Sequence, residues 1–191
     1  MRVLPGRFAA LGVLTSVLLI ATSSTTLAQV TDPADAALIS DDLGGGFRLI
    51  SDTPVQRRLG FYTTRFVLTD PAAFTGGVFE VVNFVSTVAR LPGPAEILPP
   101  AERLEATLNN THAILVEAER GEAAEEIDGP PIGDESRYVS SWIDLPSGGR
   151  AQITTVAFRV GDSVAAVSVL GGMSSPEMLP GLAAIVADRL S

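Results

Sequence analysis

The chain of 191 residues contains no cysteine and no lysine. The lack of cysteine excludes a disulfide framework, thiolate metal ligands, a thiol nucleophile and the lipid anchor that bacterial lipoproteins attach to a cysteine. All 13 basic residues are arginines, which together with the abundant alanine we interpret as a GC-rich codon bias. The 22 acidic residues bring the net charge to -9, and the arginines form no basic run. Nucleic acid and anionic lipid both need clustered positive charge, so we expect neither as a partner.

Histidine is scarce as well, since His112 is the only one. Ser-His-Asp catalysis needs a histidine base, and the chain has no G-x-S-x-G elbow to present a serine. A zinc site with one histidine and no cysteine would depend on carboxylates for its other ligands, which is unusual. We therefore interpret His112 as a surface or partly packed side chain, and we expect no catalytic set, no metal and no cofactor.

Residues 1–28 have the three parts of a secretory signal peptide. Arg2 and Arg7 provide the positive start, residues 8–21 form an apolar run, and small residues precede a cleavage point after Ala28. The apolar run is shorter than the ~20 residues that a membrane span needs, and no later stretch is long and apolar enough to cross a bilayer. We predict an exported protein, with an uncleaved N-terminal anchor as the alternative.

Residues 29–191 are about one domain in length, and their clearest element is a hairpin at residues 151–170. The hairpin reads AQITTVAFRVGDSVAAVSVL, and Gly161-Asp162 is a dipeptide of the kind that closes two-residue loops. Such a loop places Phe158 opposite Ala165 on one face of a sheet. That face would form a core wall of Val156, Phe158, Val160, Ala165, Val167 and Val169. The other face is lighter and more polar, and would carry Thr155, Ala157, Arg159 and Ser168.

Further strands are predicted at residues 47–51, 61–69, 78–88 and 136–145, where aromatic and β-branched residues are frequent. Both faces of residues 78–88 are largely apolar, which is typical of a central strand covered on both sides. The last strands of the chain are joined by tight turns, so we expect that half of the sheet to be antiparallel.

Three helices are predicted around this sheet, the first a short one within residues 31–43. The i, i+4, i+7, i+11 spacing of side chains predicts a continuous helix from about residue 100 that ends before Gly121. The alternative is a shorter helix followed by a strand within residues 113–118. A final helix has its apolar face within residues 178–190. We predict an α+β fold: a mostly antiparallel sheet of about six strands, two amphipathic helices packed on one face, and a short N-terminal helix.

Three short pieces of the chain together resemble a known kind of domain. They are ALISDDLGGGF at residues 37–47, PIGDES at residues 131–136 and FRVGD at residues 158–162. The arrangement is similar to small exported bacterial α+β domains, among them the extracytoplasmic sensor-like domains attached to some mycobacterial serine/threonine kinases. The resemblance implies a binding or sensing module without catalysis. This chain departs from those kinase domains in lacking their disulfide cysteines and an attached kinase, and no functional residue carries over.

The residues that we predict to bind a ligand lie on the lighter hairpin face and on the strand beside it. They are Arg159, Thr155, Ser168 and Trp142. Trp142 is the only tryptophan, and the alternative for it is packing in the core. Tyr62, Tyr138 and the pair Arg57-Arg58 are secondary candidates for an exposed recognition patch.

The export signal, the single domain and the lack of a catalytic set favour a secreted, non-catalytic binding or sensing module. Its partner would be a small molecule, an envelope component or another protein. One alternative is a hydrolase that acts on envelope or extracellular polymers through carboxylates, and it requires two acids converging on a pocket. The other is a passive envelope or assembly component, which requires a large apolar surface patch.

Overall fold

One antiparallel sheet organises the described part of the chain. The computed structural model describes residues 32–53, 60–69, 78–87, 100–116, 123–144, 149–172 and 177–191, so the predicted signal peptide and the Arg57-Arg58 pair lie outside it. Within these residues seven strands pair in the order β1-β2-β3-β7-β6-β5-β4. The strands are β1 (Phe47–Asp52), β2 (Phe61–Leu68), β3 (Val78–Ser86), β4 (Glu125–Ile127), β5 (Glu135–Asp144), β6 (Arg150–Val160) and β7 (Ser163–Gly171). The predicted α+β class with a mostly antiparallel sheet is confirmed.

The helices precede, divide and follow the strands. They are α1 (Pro33–Ala36), a 3-10 helix (Ser40–Leu43), α2 (Pro100–Leu115) and α3 (Leu179–Leu190). The continuous helix is confirmed as far as Leu115, so the alternative of a strand from residue 113 is wrong, and the predicted end at Gly121 lies outside the described residues. Every helix in the described ranges is too short or too polar to cross a membrane.

The hairpin of β6 and β7 has the predicted register. Gly161 and Asp162 form its turn, and Phe158 pairs with Ala165. The φ angle of Gly161 is 57°, a left-handed conformation that glycine adopts without steric cost. The two faces of the sheet can therefore be named after residues of β6, as the Phe158 face and the Thr155 face.

The Phe158 face carries the larger part of the core. The N-terminal segment, residues 32–43, and α3 pack on it, and residues such as Phe66, Val81 and Leu179 are 2 % exposed or less. Full burial of each such side chain contributes roughly 1.5–3 kcal/mol relative to exposure. This face accordingly supplies most of the hydrophobic stabilisation of the domain.

The Thr155 face is covered by α2 alone among the described helices. Leu104 and Leu108 of α2 pack against a separate cluster of Val139, Ala157, Val164 and Ala166. The prediction that the two long helices share one face is therefore wrong. The central strands β3, β7 and β6 are apolar on both sides, so each face needs its own covering layer.

The N-terminal segment is broken where a single helix was predicted. α1 ends at Ala36, and Leu38 beyond it is 1 % exposed. The N–H of Leu38 donates to the side-chain oxygen of Asn83 on β3 at 2.9 Å, and the amide nitrogen of Asn83 donates to the carbonyl of Ala166 at 3.0 Å. A hydrogen bond to the sheet thus takes the place of a helical one at Leu38. Helical periodicity in the sequence cannot reveal such a tertiary contact.

An ion pair fastens the same segment to α3. The guanidinium of Arg189 donates to both carboxylate oxygens of Asp42, at 2.7 and 2.8 Å, and to the carbonyl of Ala37 at 2.9 Å. Burial alone would raise the pKa of Asp42, but hydrogen bonds from Arg189 and from the N–H of Ile39, together with the arginine charge, hold that pKa below its ordinary value. The pair therefore stays ionised into the acidic range.

The strand β4 is the element that the sequence pattern does not indicate. Its three residues pair with β5 at the edge of the sheet, where Ile127 lies opposite Tyr138 and the two glutamates are exposed. A strand of three residues shows too little alternation of polar and apolar side chains for its sequence to be distinguished from that of an acidic loop. This edge strand raises the sheet from the six predicted strands to seven.

Replacement of Asn83 by alanine is expected to lower the free energy of unfolding by about 1–3 kcal/mol, because the N–H of Leu38 would be buried without a partner. Urea denaturation measures the change. The matched control is Asn110→Ala, which removes the same side chain from an exposed position on α2. Equal effects for the two variants would contradict the role given to Asn83.

Candidate functional site

The predicted ligand residues Thr155 and Ser168 lie under a helix. Both project from the Thr155 face, and both are 0 % exposed. The lighter face of the hairpin is therefore the floor of a packed layer, because α2 lies on it. Their predicted role in binding would require α2 to move away from the sheet.

Arg159 lies on the same face at the tip of the hairpin, where it holds the loop before β5. Its guanidinium donates to the carboxylate of Asp134 at 3.2 Å and to the carbonyl of Gly161 at 2.9 Å. Asp134 also accepts from the N–H of Gly161 at 2.8 Å. A Cβ on Gly133 would stand 2.3 Å from the Arg159 carbonyl oxygen, so glycine permits the close approach. These contacts give Arg159 a structural role.

Trp142 projects from the opposite face of the sheet. It pairs with Gln152 on β6, whose side chain points away from the Thr155 face, and it is half-buried. The guanidinium of Arg150 stands 5.3 Å from the centre of the indole ring, within cation–π distance. The structure therefore does not bring the four predicted residues into one site.

A chain of hydrogen bonds connects α2 to the Thr155 face through the single histidine. His112 Nδ1 is 2.8 Å from Thr155 Oγ1, and His112 Nε2 is 2.9 Å from Ser141 Oγ. Thr155 Oγ1 in turn is 2.6 Å from Ser168 Oγ. We call these four side chains, Ser141, His112, Thr155 and Ser168, the histidine network.

The histidine network contains a serine–histidine pair without the surroundings that catalysis needs. The ring nitrogen of His112 that faces away from Ser141 contacts the hydroxyl of Thr155, whereas in a catalytic triad that nitrogen contacts a carboxylate. Each of the four side chains is 6 % exposed or less, so a substrate has no path to the Ser141 hydroxyl. Burial lowers the pKa of His112, and the neutral ring offers one donor and one acceptor to the two hydroxyls. The network acts as a satisfied polar contact between helix and sheet.

A polar cleft of about 280 Å³ opens at the β4–β5 edge. Its lining is Glu126, Ile127, Asp128, Gly129, Ser136, Arg137 and Tyr138. We call it the acidic cleft, because Glu126 and Asp128 both line it, and the hydrolase alternative requires two acids at one pocket. However, Glu126 Oε1 accepts from two nitrogens of Arg137, at 3.3 and 3.2 Å, and Asp128 is exposed. Both acids are therefore open to water, unlike the enclosed carboxyl that general-acid catalysis needs.

A second cleft, of about 180 Å³, separates the N-terminal segment from the first two strands. Its lining is Ala34, Leu38, Ile39, Ser40, Leu49, Tyr62, Thr64 and Phe66. We call it the Thr64 cleft. Tyr62, Thr64 and Phe66 alternate along β2 and so share the Phe158 face, while Leu49 on β1 pairs with Phe66. The hydrogen bond from Leu38 to Asn83 positions the opposite wall.

The described lining of the Thr64 cleft is apolar apart from a few hydroxyls, and it includes no charged side chain. Ile39 and Leu49 are 51 % and 41 % exposed, which is unusual for large aliphatic side chains that line a cleft. Thr64 is 3 % exposed, and its Oγ1 has no hydrogen-bond partner in the described part of the chain. A buried hydroxyl left in this state costs about 1–3 kcal/mol.

Sequence reasoning identified only one member of this cleft, Tyr62, as a secondary candidate. The others were missed because the cleft depends on where the N-terminal segment crosses the sheet, and that crossing depends on Asn83. One signal was present: Leu49 and Ile50 are adjacent aliphatic residues in an edge strand. Successive strand residues point to opposite faces, so an edge position leaves such a pair poorly covered.

Acidic residues are numerous, yet they do not assemble into a metal centre in the ranges that the structure describes. No group of three or more histidine, aspartate or glutamate side chains there is placed to hold an ion. Several acids pair with arginines, as in Arg65–Glu80 and Arg137–Glu105. The clefts and the histidine network are therefore the features on which a function has to be argued.

The free energy of unfolding is expected to fall as the pH is lowered from about 6.5 towards the depressed pKa of folded His112. In that window the unfolded chain binds a proton at His112 and the folded chain does not, so acid favours unfolding. His112→Asn removes the titrating ring, and its stability should change less across the window. Urea titrations of both proteins at a series of pH values test this, and parallel curves would contradict it.

Comparison of the chain with protein-family models and with curated protein sequences finds no match.

Proposed function

We propose that this protein is an exported, non-catalytic binding module whose ligand is a small, mostly apolar molecule bound in the Thr64 cleft. The observation that carries the proposal is the cleft itself, whose described lining is mostly apolar, has no charged residue and includes a buried hydroxyl. Ligand sites are typically concave and mostly apolar, with a few placed polar groups that orient the ligand. The Thr64 cleft has each of these properties on a small scale.

The exposed side chains at the cleft support the proposal. Ile39 and Leu49 both line it, and both keep roughly half of their surface in water. Removing apolar surface from water contributes about 25 cal/mol per Å², so a ligand that touches both side chains gains affinity from surface the protein leaves uncovered. Leu38 and Phe66 beneath them are buried and provide a firm floor.

Export is supported by the sequence of residues 1–28, which has the charged, apolar and small-residue parts of a signal peptide. The likeness to extracytoplasmic sensor-like domains of some mycobacterial kinases is consistent with a module that binds a ligand without transforming it. In that role the protein would meet small molecules of the cell envelope or its surroundings.

The carboxylate hydrolase remains the second candidate, because Glu126 and Asp128 line one cleft. It is less favoured, since Arg137 occupies one oxygen of Glu126 and both acids are exposed. Glu126→Gln and Asp128→Asn should leave any polymer-cleaving activity of the purified protein unchanged. A loss of cleavage in both variants would favour the hydrolase.

Toluene is expected to bind the purified protein and to raise its melting temperature, because an apolar ligand that binds only the folded state stabilises it. Ala34→Leu enlarges a side chain that lines the cleft. Overpacking costs about 1–3 kcal/mol, so we expect toluene binding to weaken by roughly tenfold or more. Titration followed by backbone amide shifts in β2 measures the affinity.

The matched control for this experiment is Ala184→Leu, the same substitution on an exposed position of α3. It should leave toluene affinity unchanged. Ile39→Ser, at a half-exposed position of the cleft, provides a second variant that should weaken binding without overpacking. Failure of toluene to bind, or equal binding by all variants, would overturn the proposed function.

A further inference from the structure

We infer that the ligand of the Thr64 cleft carries one uncharged hydrogen-bonding group, a hydroxyl in a phenol or a small alcohol, and places it against Thr64 Oγ1. This inference rests on the proposed function and specifies the chemistry and orientation of the ligand. It follows from the buried hydroxyl of Thr64, which has no partner among the described residues and belongs to the wall of a mostly apolar cleft.

The side-chain amide beside Thr64 already has its hydrogen bonds. Asn83 pairs directly with Thr64 across β2 and β3, so its side-chain amide lies beside Thr64 on the same face. Its oxygen accepts from the N–H of Leu38, and its nitrogen donates to the carbonyl of Ala166. Thr64 Oγ1 is left without a partner among the described residues, although it lies in a sheet with few unpaired groups.

The volume of the Thr64 cleft limits the size of the ligand. A dry cavity of ~150 Å³ lined by aliphatic and aromatic side chains is large enough to bind benzene. The Thr64 cleft has a similar volume, about 180 Å³, and it is lined by Phe66, Tyr62 and Leu38 among others. One six-membered ring with a single small substituent therefore fills it. A longer molecule would extend past Ile39 and Leu49, the two lining side chains that are exposed.

The charged groups near the Thr64 cleft limit the charge that its ligand can carry. Among the described residues that line the cleft there is no arginine, so none of them would offer a counter-ion to a carboxylate or phosphate group. The hydroxyl of Tyr62 is 3.4 Å from a carboxylate oxygen of Asp52, which places a negative charge near the cleft. The chain as a whole carries a net charge of -9. These charges favour a neutral polar group over an anionic one.

The test is a double cycle that combines two ligands with two proteins. Phenol and toluene have nearly the same shape, and they differ in a hydroxyl against a methyl group. Thr64→Val makes the same exchange on the protein. The phenol-to-toluene affinity ratio should be roughly three- to tenfold higher in the natural protein than in Thr64→Val. This factor corresponds to the net free energy of one neutral hydrogen bond. Benzoate, which is anionic, should bind more weakly than phenol.

Thr107→Val is the matched control for the protein side of the cycle. Thr107 is 1 % exposed, its Oγ1 is also without a hydrogen-bond partner in the described residues, and it lies on α2 away from the cleft. Both valine variants should raise the melting temperature of the free protein, because each removes a buried unsatisfied hydroxyl. Thr64→Val alone should change the phenol-to-toluene ratio.

The outcomes separate this inference from the proposed function. If toluene binds and the affinity ratio is the same in both proteins, the inference is overturned while binding in the cleft stands. Tighter binding of benzoate than of phenol would overturn the inference that the polar group of the ligand is uncharged. A lower melting temperature of free Thr64→Val would overturn the inference as well, because it would show that the Thr64 hydroxyl already has a partner. If neither ligand binds the natural protein, the proposed function fails and this inference fails with it.

Discussion

The central strands β3, β7 and β6 are buried on both faces, and this need for two covering layers determines where the other elements lie. Val81, Val167 and Val156 line the Phe158 face of these strands, while Val82, Ala166 and Ala157 line the Thr155 face, and all are fully buried. One layer comes from α2, which the chain inserts between β3 and β4. The other comes from the two ends of the domain, the N-terminal segment and α3. The domain therefore closes only when its first and last segments meet on the same face.

The polar contacts within these layers serve different purposes. On the Thr155 face, the histidine network pairs its hydroxyls with the ring of His112 and leaves the layer closed. On the Phe158 face, the amide of Asn83 secures the N-terminal segment but leaves Thr64 beside it unsatisfied. Natural domains satisfy nearly all of their buried polar groups, and the exceptions need an explanation. The ligand that we propose would satisfy Thr64, whereas the hydrogen bonds of His112 are already complete.

The sequence was a good guide to local structure and a poor guide to the site. The register of the β6–β7 hairpin followed from Gly161-Asp162 and alternation, and a continuous α2 as far as Leu115 followed from helical spacing. The prediction that both long helices pack on one face was wrong. Helical periodicity shows that a helix has an apolar side, but it does not show which face of the sheet that side covers. The same limit applies to the predicted ligand residues, because the sequence shows that Thr155 is polar but not that it lies beneath α2. The Thr64 cleft arises from a contact between residues 45 positions apart, which no local pattern records.

The central claim is that the N-terminal segment and the first two strands enclose a ligand site. The most direct measurement is the set of intermolecular nuclear Overhauser effects between bound phenol and the protein, because it locates the ligand and shows its orientation in one experiment. We predict contacts from the phenol ring to the side chains of Leu49 and Phe66, with the hydroxyl end directed towards Thr64. Contacts confined to the acidic cleft, or to α2 and the histidine network, would contradict the account.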